Sequence, residues 1–188
     1  MGRWEPGASG RLREAALDLY LERGFEQTMV ADIAERAGVT ARTFFRYFTD
    51  KREVLFDASA ELEKKSLAAL EAAPATASTL DLVATALDAT VDIIGHDHEL
   101  ARKRHVVIMA NSDLRERELI KLAHMSAALA DGLRRRGIGD AEASLAAEAG
   151  SAVYRVAFQR WADADDDLDL RDVIRRSFAQ LRALTAPN

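Results

Sequence analysis

GFEQTMVADIAERAGVTARTFFRYFTDKR, residues 24–52, is the stretch whose reading decides the fold. Asp32 to Ala37 reads as a short amphipathic helix, with Ile33, Ala34 and Ala37 on its buried side. Gly38 ends it, because glycine takes the left-handed conformation of a helix C-terminus without steric cost. Val39 is the apolar residue of the turn. Thr40 is placed to cap a second helix, Ala41 to Phe48. Two helices joined by a short turn containing glycine form a helix-turn-helix, the arrangement that reads DNA.

The second helix divides into faces. Phe44 and Phe48 are four apart and share a side that can be buried. Arg42 and Arg46 share another, with Thr43 and Tyr47 beside them. So short a helix is marginal alone, so the aromatic side must anchor it. Arginine can take guanine bidentately, and threonine and tyrosine can reach phosphates or a thymine methyl. Lys51 and Arg52 follow at the expected start of the next helix, where backbone N–H groups also favour a phosphate.

The run TMVADIAERAGVTARTFFRYFTDKREVL resembles the DNA-binding signature of the TetR family of bacterial transcriptional regulators. Gly24 and Phe25 ahead of it, the DIAERAGV segment, the aromatic-rich recognition helix and the lysine after it agree in order and spacing. The resemblance covers roughly the first 56 residues. It implies DNA contacts at Thr40, Ala41, Arg42, Thr43, Phe45, Arg46, Tyr47 and Lys51. Two positions depart from the family pattern. Met29 stands where threonine or serine is usual, and Phe45 where tyrosine is usual, and each removes a hydroxyl that could meet a phosphate.

Composition agrees with an all-α protein. Alanine and leucine abound, and Pro6, Pro74 and Pro187 interrupt no helical pattern. The chain of 188 residues divides into a helix-turn-helix domain, 1–56, and a helical effector-binding and dimerisation domain, 57–188, with about nine helices in all. There are no cysteines, which excludes disulfides and cysteine-ligated zinc and fits a reducing cytoplasm. No apolar run is long enough to span a membrane, and no secretory segment follows Met1. The net charge of −5 looks wrong for a DNA binder, but its distribution matters more than the total. Residues 1–56 carry nine Lys/Arg and nine Asp/Glu, so the acidity lies entirely in the second part. Arg3, Arg11, Arg13, Arg42, Arg46, Lys51 and Arg52 are available for one surface.

In chain order, Met1 to Ser9 lacks periodicity and reads as a disordered arm, whose Arg3 can reach a minor groove or stay solvated. The first helix runs to Arg23, with Leu12, Ala15, Ala16, Leu19 and Tyr20 as its core stripe. Arg11 and Arg13 oppose its dipole, and a nearby phosphate or plain solvation accounts for them. A long helix from about Asp50 to Glu71 follows, then a linker around Pro74. Further helices are expected at Leu80 to Gly95, His96 to Asn111, Leu114 to Arg136, Ala141 to Ala162 capped by Asp140, and Leu170 to Leu184. Leu114 to Arg136 has Leu119, Leu122, Met125, Ser126, Leu129 and Leu133 as its buried stripe. An acidic loop, Asp163 to Asp169, precedes the last.

Reading a palindrome calls for a two-fold pair of recognition helices. The last two helices are the interface candidates, through Ala149, Ala152, Val153, Val156, Ile174, Phe178 and Leu181, although these stripes also serve as internal core. Family resemblance agrees, and it places a small-molecule effector pocket among the middle helices. Leu87, Val91, Met109, Met125, Leu129, Tyr154 and Phe158 are its candidates, each also open to plain core packing. His96 and His98 point about 200° apart on a helix, His105 and His124 lie further off, and no metal site results. No cofactor is implied. No nucleophile elbow, P-loop or dinucleotide motif appears. The expectation is a repressor released from a palindromic operator by a largely apolar effector, with activation still possible. A helical ligand-binding or scaffold protein without operator binding, or an α-helical enzyme on the same bundle, remain the alternatives.

Overall fold

The computed structural model describes residues 7–95, 97–164 and 168–186. Residues 1–6 of the expected arm with Arg3, His96, and part of the acidic loop (165–167) lie outside them, whereas Gly7 caps the first helix and residues 8 and 9 already belong to it. Among the described residues there are helices and turns but no strand. They form two compact units, one within Met1–Asp57 plus Lys103–Glu116, the other within Ala58–Arg102 plus Arg117–Asn188.

The first unit contains α1 (Ala8–Arg23), α2 (Val30–Arg36), α3 (Ala41–Tyr47) and a 3-10 turn, Glu53–Phe56. Leu12, Ala16, Leu19, Ile33, Phe44 and Val54 are fully buried and form its core. Gly24 stops α1 at φ +86°, its N–H donating to the Tyr20 carbonyl. Buried Thr28, which periodicity alone did not single out, donates its hydroxyl to the Gly24 carbonyl at 2.9 Å and fixes the α1–α2 connection. At the surface Arg36 takes Glu22 with two hydrogen bonds and Arg23 pairs with Asp32.

Lys51 has a different task from the phosphate contact expected of it. Its ammonium donates to the carbonyls of Phe25, Glu26 and Thr28 at 2.8, 3.3 and 3.0 Å, and lies 4.3 Å from the centre of the Phe25 ring. Its own carbonyl accepts from the Tyr20 hydroxyl at 2.6 Å. Burial, and then the Asp50 charge, push the Tyr20 phenol above its ordinary value, so it stays a donor. One residue therefore ties the segment after α3 back to α1 and to the start of α2.

The long helix expected from Asp50 does not form. The Asp50 carboxylate accepts the N–H groups of Arg52 and Glu53 at 2.7 and 3.2 Å, and so caps the turn that follows. Val54, Leu55 and Phe56 are all buried. A short 3-10 turn, Glu53–Phe56, takes the place of the expected first helical turns. The helix proper, α4 (Ser59–Ala72), starts after it.

The second unit holds α4, α5 (Thr79–Asp88), a one-turn α6 (Val91–Ile94), α9 (Asp140–Ala162) and α10 (Leu170–Thr185), with parts of α7 (His98–Met109) and α8 (Ser112–Arg135). The helix expected over Leu80 to Gly95 breaks after Asp88, where buried Thr90 gives its hydroxyl to the Leu87 carbonyl. Asp140 is not the cap of α9. Gly139 holds that position, and the Asp140 carboxylate pairs with Arg134 at 2.6 Å. Leu119 is 55% exposed rather than buried, whereas Ser126, Leu129 and Leu133 do face the core. Asp169 caps α10 through the Arg171 N–H.

Close approach of α5 to α9 depends on Gly150. A Cβ there would stand 2.2 Å from Val83 Cγ1, and a β-branched side chain has little freedom to yield.

Three outcomes follow from these contacts. Gly150→Ala should lower stability by ~1–3 kcal/mol in urea unfolding, although alanine is the better helix former by about 1 kcal/mol. Lys51→Met keeps the stem and the length but loses every donor, and should cost ~1–3 kcal/mol by the same measurement. Asp50 is partly desolvated, which alone would raise its pKa, but the Arg52 guanidinium and the two backbone donors hold it below the ordinary carboxylate value. A depressed folded pKa contributes stability above the unfolded value of ~3.9 and loses it as pH falls through the folded one. Asp50→Asn should therefore melt below the parent chain at pH 7, by under ~1 kcal/mol for so exposed a pair. The gap should close as pH drops below about 4.

Candidate nucleic-acid interface

The geometry begins at the turn. Gly38 sits at φ +67°. Its N–H donates to Glu35, and the Val39 N–H reaches back to the Ala34 carbonyl at 2.9 Å, closing the end of α2 with paired bonds. At the other end of α2 the Asp32 carboxylate accepts the Met29 N–H at 3.1 Å, while the Met29 side chain is exposed. Thr40 then starts α3: its hydroxyl oxygen accepts the Thr43 N–H at 3.2 Å.

α3 is seven residues long and held by two rings. Phe44 is fully buried and Phe48 nearly so, their centroids 5.5 Å apart. Ala41, Arg42, Phe45, Arg46 and Tyr47 are exposed and Thr43 half-buried. The Arg46 guanidinium lies 5.0 Å from the centre of the Tyr47 ring, with one nitrogen 3.3 Å from the phenol oxygen. Arg42, Thr43, Phe45 and Arg46 line one open depression of about 510 Å³. All the α3 residues expected to meet DNA thus lie on the solvent side, apart from half-covered Thr43, and Lys51 does not join them.

Arg11, Arg13 and Arg52, also expected on that surface, have protein partners. Arg11 donates to the Ala37 carbonyl, the last of α2's turn. Arg13 pairs with Asp57 at 3.0 Å, and Arg52 with Asp50 at 3.0 Å. Arg42 and Arg46 are the ones that α3 itself presents.

The effector candidates separate. Leu87, Val91 and Leu129 are buried in the core of the second unit, and Met125, Tyr154 and Phe158 are half-buried against it. Tyr154 and Phe158 stack at 6.1 Å, Phe158 meets Trp161 at 5.7 Å, and His98 meets Trp161 at 4.6 Å. Met109 does not belong to this group: it lies in the first unit and is 42% exposed. The interface candidates also divide. Val153, Ile174 and Phe178 are buried within the unit, Ala149 and Leu181 are half-buried, and Ala152 and Val156 are exposed. Exposed Leu145 extends the outward row of α9 by one turn; its spacing to Ala149 and Ala152 could have shown this. Among the described residues no cluster of three His, Asp or Glu is placed to hold a metal, and no helix is long and apolar enough to cross a membrane.

Comparison with known proteins bears on the whole chain. Residues 12–58 match the model for bacterial regulatory proteins of the tetR family. Residues 77–186 match the model for the MftR C-terminal domain. The HTH-type transcriptional regulator TcmR of Streptomyces glaucescens is 37% identical over 107 residues, which is 57% of this chain and 47% of TcmR. The alignment therefore spans about half the length of that relative. Two solved structures share the fold. The fatty acid degradation regulator FadR from Bacillus halodurans is 16% identical, with a TM-score of 0.66 over 99% of this chain and 100% of its own. FadR from Bacillus subtilis, solved in complex with stearoyl-CoA, is 21% identical, with a TM-score of 0.64 over 92% of this chain and 96% of its own. The second family model alone covers more than half of the sequence, the first covers the helix-turn-helix, and the chain belongs to the TetR family of bacterial transcriptional regulators.

Proposed function

We infer that this regulator is a repressor: two copies hold a palindromic operator, and a largely apolar effector in the second unit releases it. One observation carries the reading. The aromatic side of α3 is buried and its Arg42, Arg46 and Tyr47 side faces solvent, as a groove-entering helix requires. The acidic surplus of the rest of the chain does not oppose this, because phosphates respond to local charge.

Pairing of two copies uses α9, whose exposed Leu145, Ala152 and Val156 continue through Ala149 at spacings of four and three. The effector takes the place where Met125, Tyr154 and Phe158 cover the core only in part. Apolar walls with few polar groups suit a hydrocarbon chain, and the stearoyl-CoA held by the Bacillus subtilis FadR makes acyl thioesters the first class to try. Release requires that the effector favour a state with lower DNA affinity, a coupling conventionally of ~1–3 kcal/mol. A protein with this task works in the cytoplasm, where its DNA is.

The test is a gel shift of the full chain on the DNA flanking its own gene, at several salt concentrations, with and without stearoyl-CoA. Retarded DNA that stearoyl-CoA frees is the expected result; absence of any retarded band would sink the reading. In the same assay Arg46→Ala should cost ~1–3 kcal/mol of binding and relax the preference for one sequence.

A further inference from the structure

Phe45 has no folding task that its neighbours leave undone. Phe44 and Phe48 already hold α3 down, yet Phe45 keeps 57% of its surface in water. The ring nevertheless rests against a neighbour. It meets Phe44 edge-on, with centroids 5.4 Å apart and planes at 83°. Phe44 is itself fully buried. Arg42, Thr43 and Arg46 line the same open depression. An exposed apolar ring therefore stands on the same open surface as Arg42 and Arg46.

The chemistry of that ring narrows its target. A phenyl ring carries no hydrogen-bonding group, so it gains nothing from a phosphate oxygen. Base edges in the major groove are polar, with one apolar substituent among them, the 5-methyl group of thymine. Contact with it removes apolar surface on both sides from water. We propose that Phe45 reads a thymine 5-methyl group and so determines one position of the operator half-site. This rests on the reading of α3 as the helix that enters the groove, and it assigns to this residue a contact that a tyrosine hydroxyl bound to phosphate would not make.

Deoxyuridine differs from thymidine in that methyl group alone, which supplies the test. The full chain selects its preferred duplex from a random-sequence library. That duplex is remade with each thymine replaced in turn by deoxyuridine, and binding is followed by fluorescence anisotropy for the parent chain, Phe45→Ala and Phe45→Met. At one position in each half-site the replacement should weaken the parent about fourfold, the worth of one methyl-sized group withdrawn from water. Phe45→Ala should be indifferent to it, and Phe45→Met, which keeps an apolar surface, should stay sensitive. Equal sensitivity in the parent and Phe45→Ala would overturn the proposal, as would a selected half-site at which no replacement matters. If the parent selects no duplex at all, the nucleic-acid reading itself fails and takes this one with it.

Discussion

Burial of Phe44 and Phe48 is the constraint on which the DNA-facing part depends. A helix of seven residues does not hold together through its own hydrogen bonds in water. Removing one phenylalanine side chain from water is worth ~1.5–3 kcal/mol, enough to offset an unfavourable helix nucleus. Once those two rings are inside, helical geometry leaves no choice about the rest. Arg42, Arg46 and Tyr47 must point outward. Orientation of the polar side is thus a by-product of packing the apolar one.

A second tie makes that orientation rigid. The chain leaving α3 is fastened by Lys51 to the carbonyls between α1 and α2 and by the Tyr20 hydroxyl to Lys51 itself. The entry of α3 is fixed by the Thr40 cap and by the bonds around Gly38. Both ends of the short helix are therefore determined by groups outside it. Side chains offered to a groove from such a mount lose less freedom on binding than side chains on a loose segment.

Much of this was legible in the sequence, because the signals are local. A glycine at a helix end, a threonine ahead of three residues that follow it, and aromatics four apart each act within one or two turns. What could not be read acts over distance or through competition. Lys51 reaches carbonyls more than twenty residues away, and nothing in its neighbourhood distinguishes it from a phosphate ligand. Thr90 gives its hydroxyl to a backbone carbonyl where a periodic run breaks, and periodicity alone does not see such a side chain. On α9 and α10 the apolar pattern is wide enough to serve two directions. It did not say that Val153, Ile174 and Phe178 would turn inward while Leu145 and Val156 would not.

The internal pairing of Arg11, Arg13, Lys51 and Arg52 has a consequence for the regulator in its cell. Each cation that neutralises a phosphate sheds a condensed ion from the duplex, and that release is what makes affinity collapse as salt rises. A cation held by a carboxylate is already balanced and would shed fewer. Were Arg42 and Arg46 the chief cations to meet a duplex, few ions would be shed and its hold on DNA would depend little on potassium.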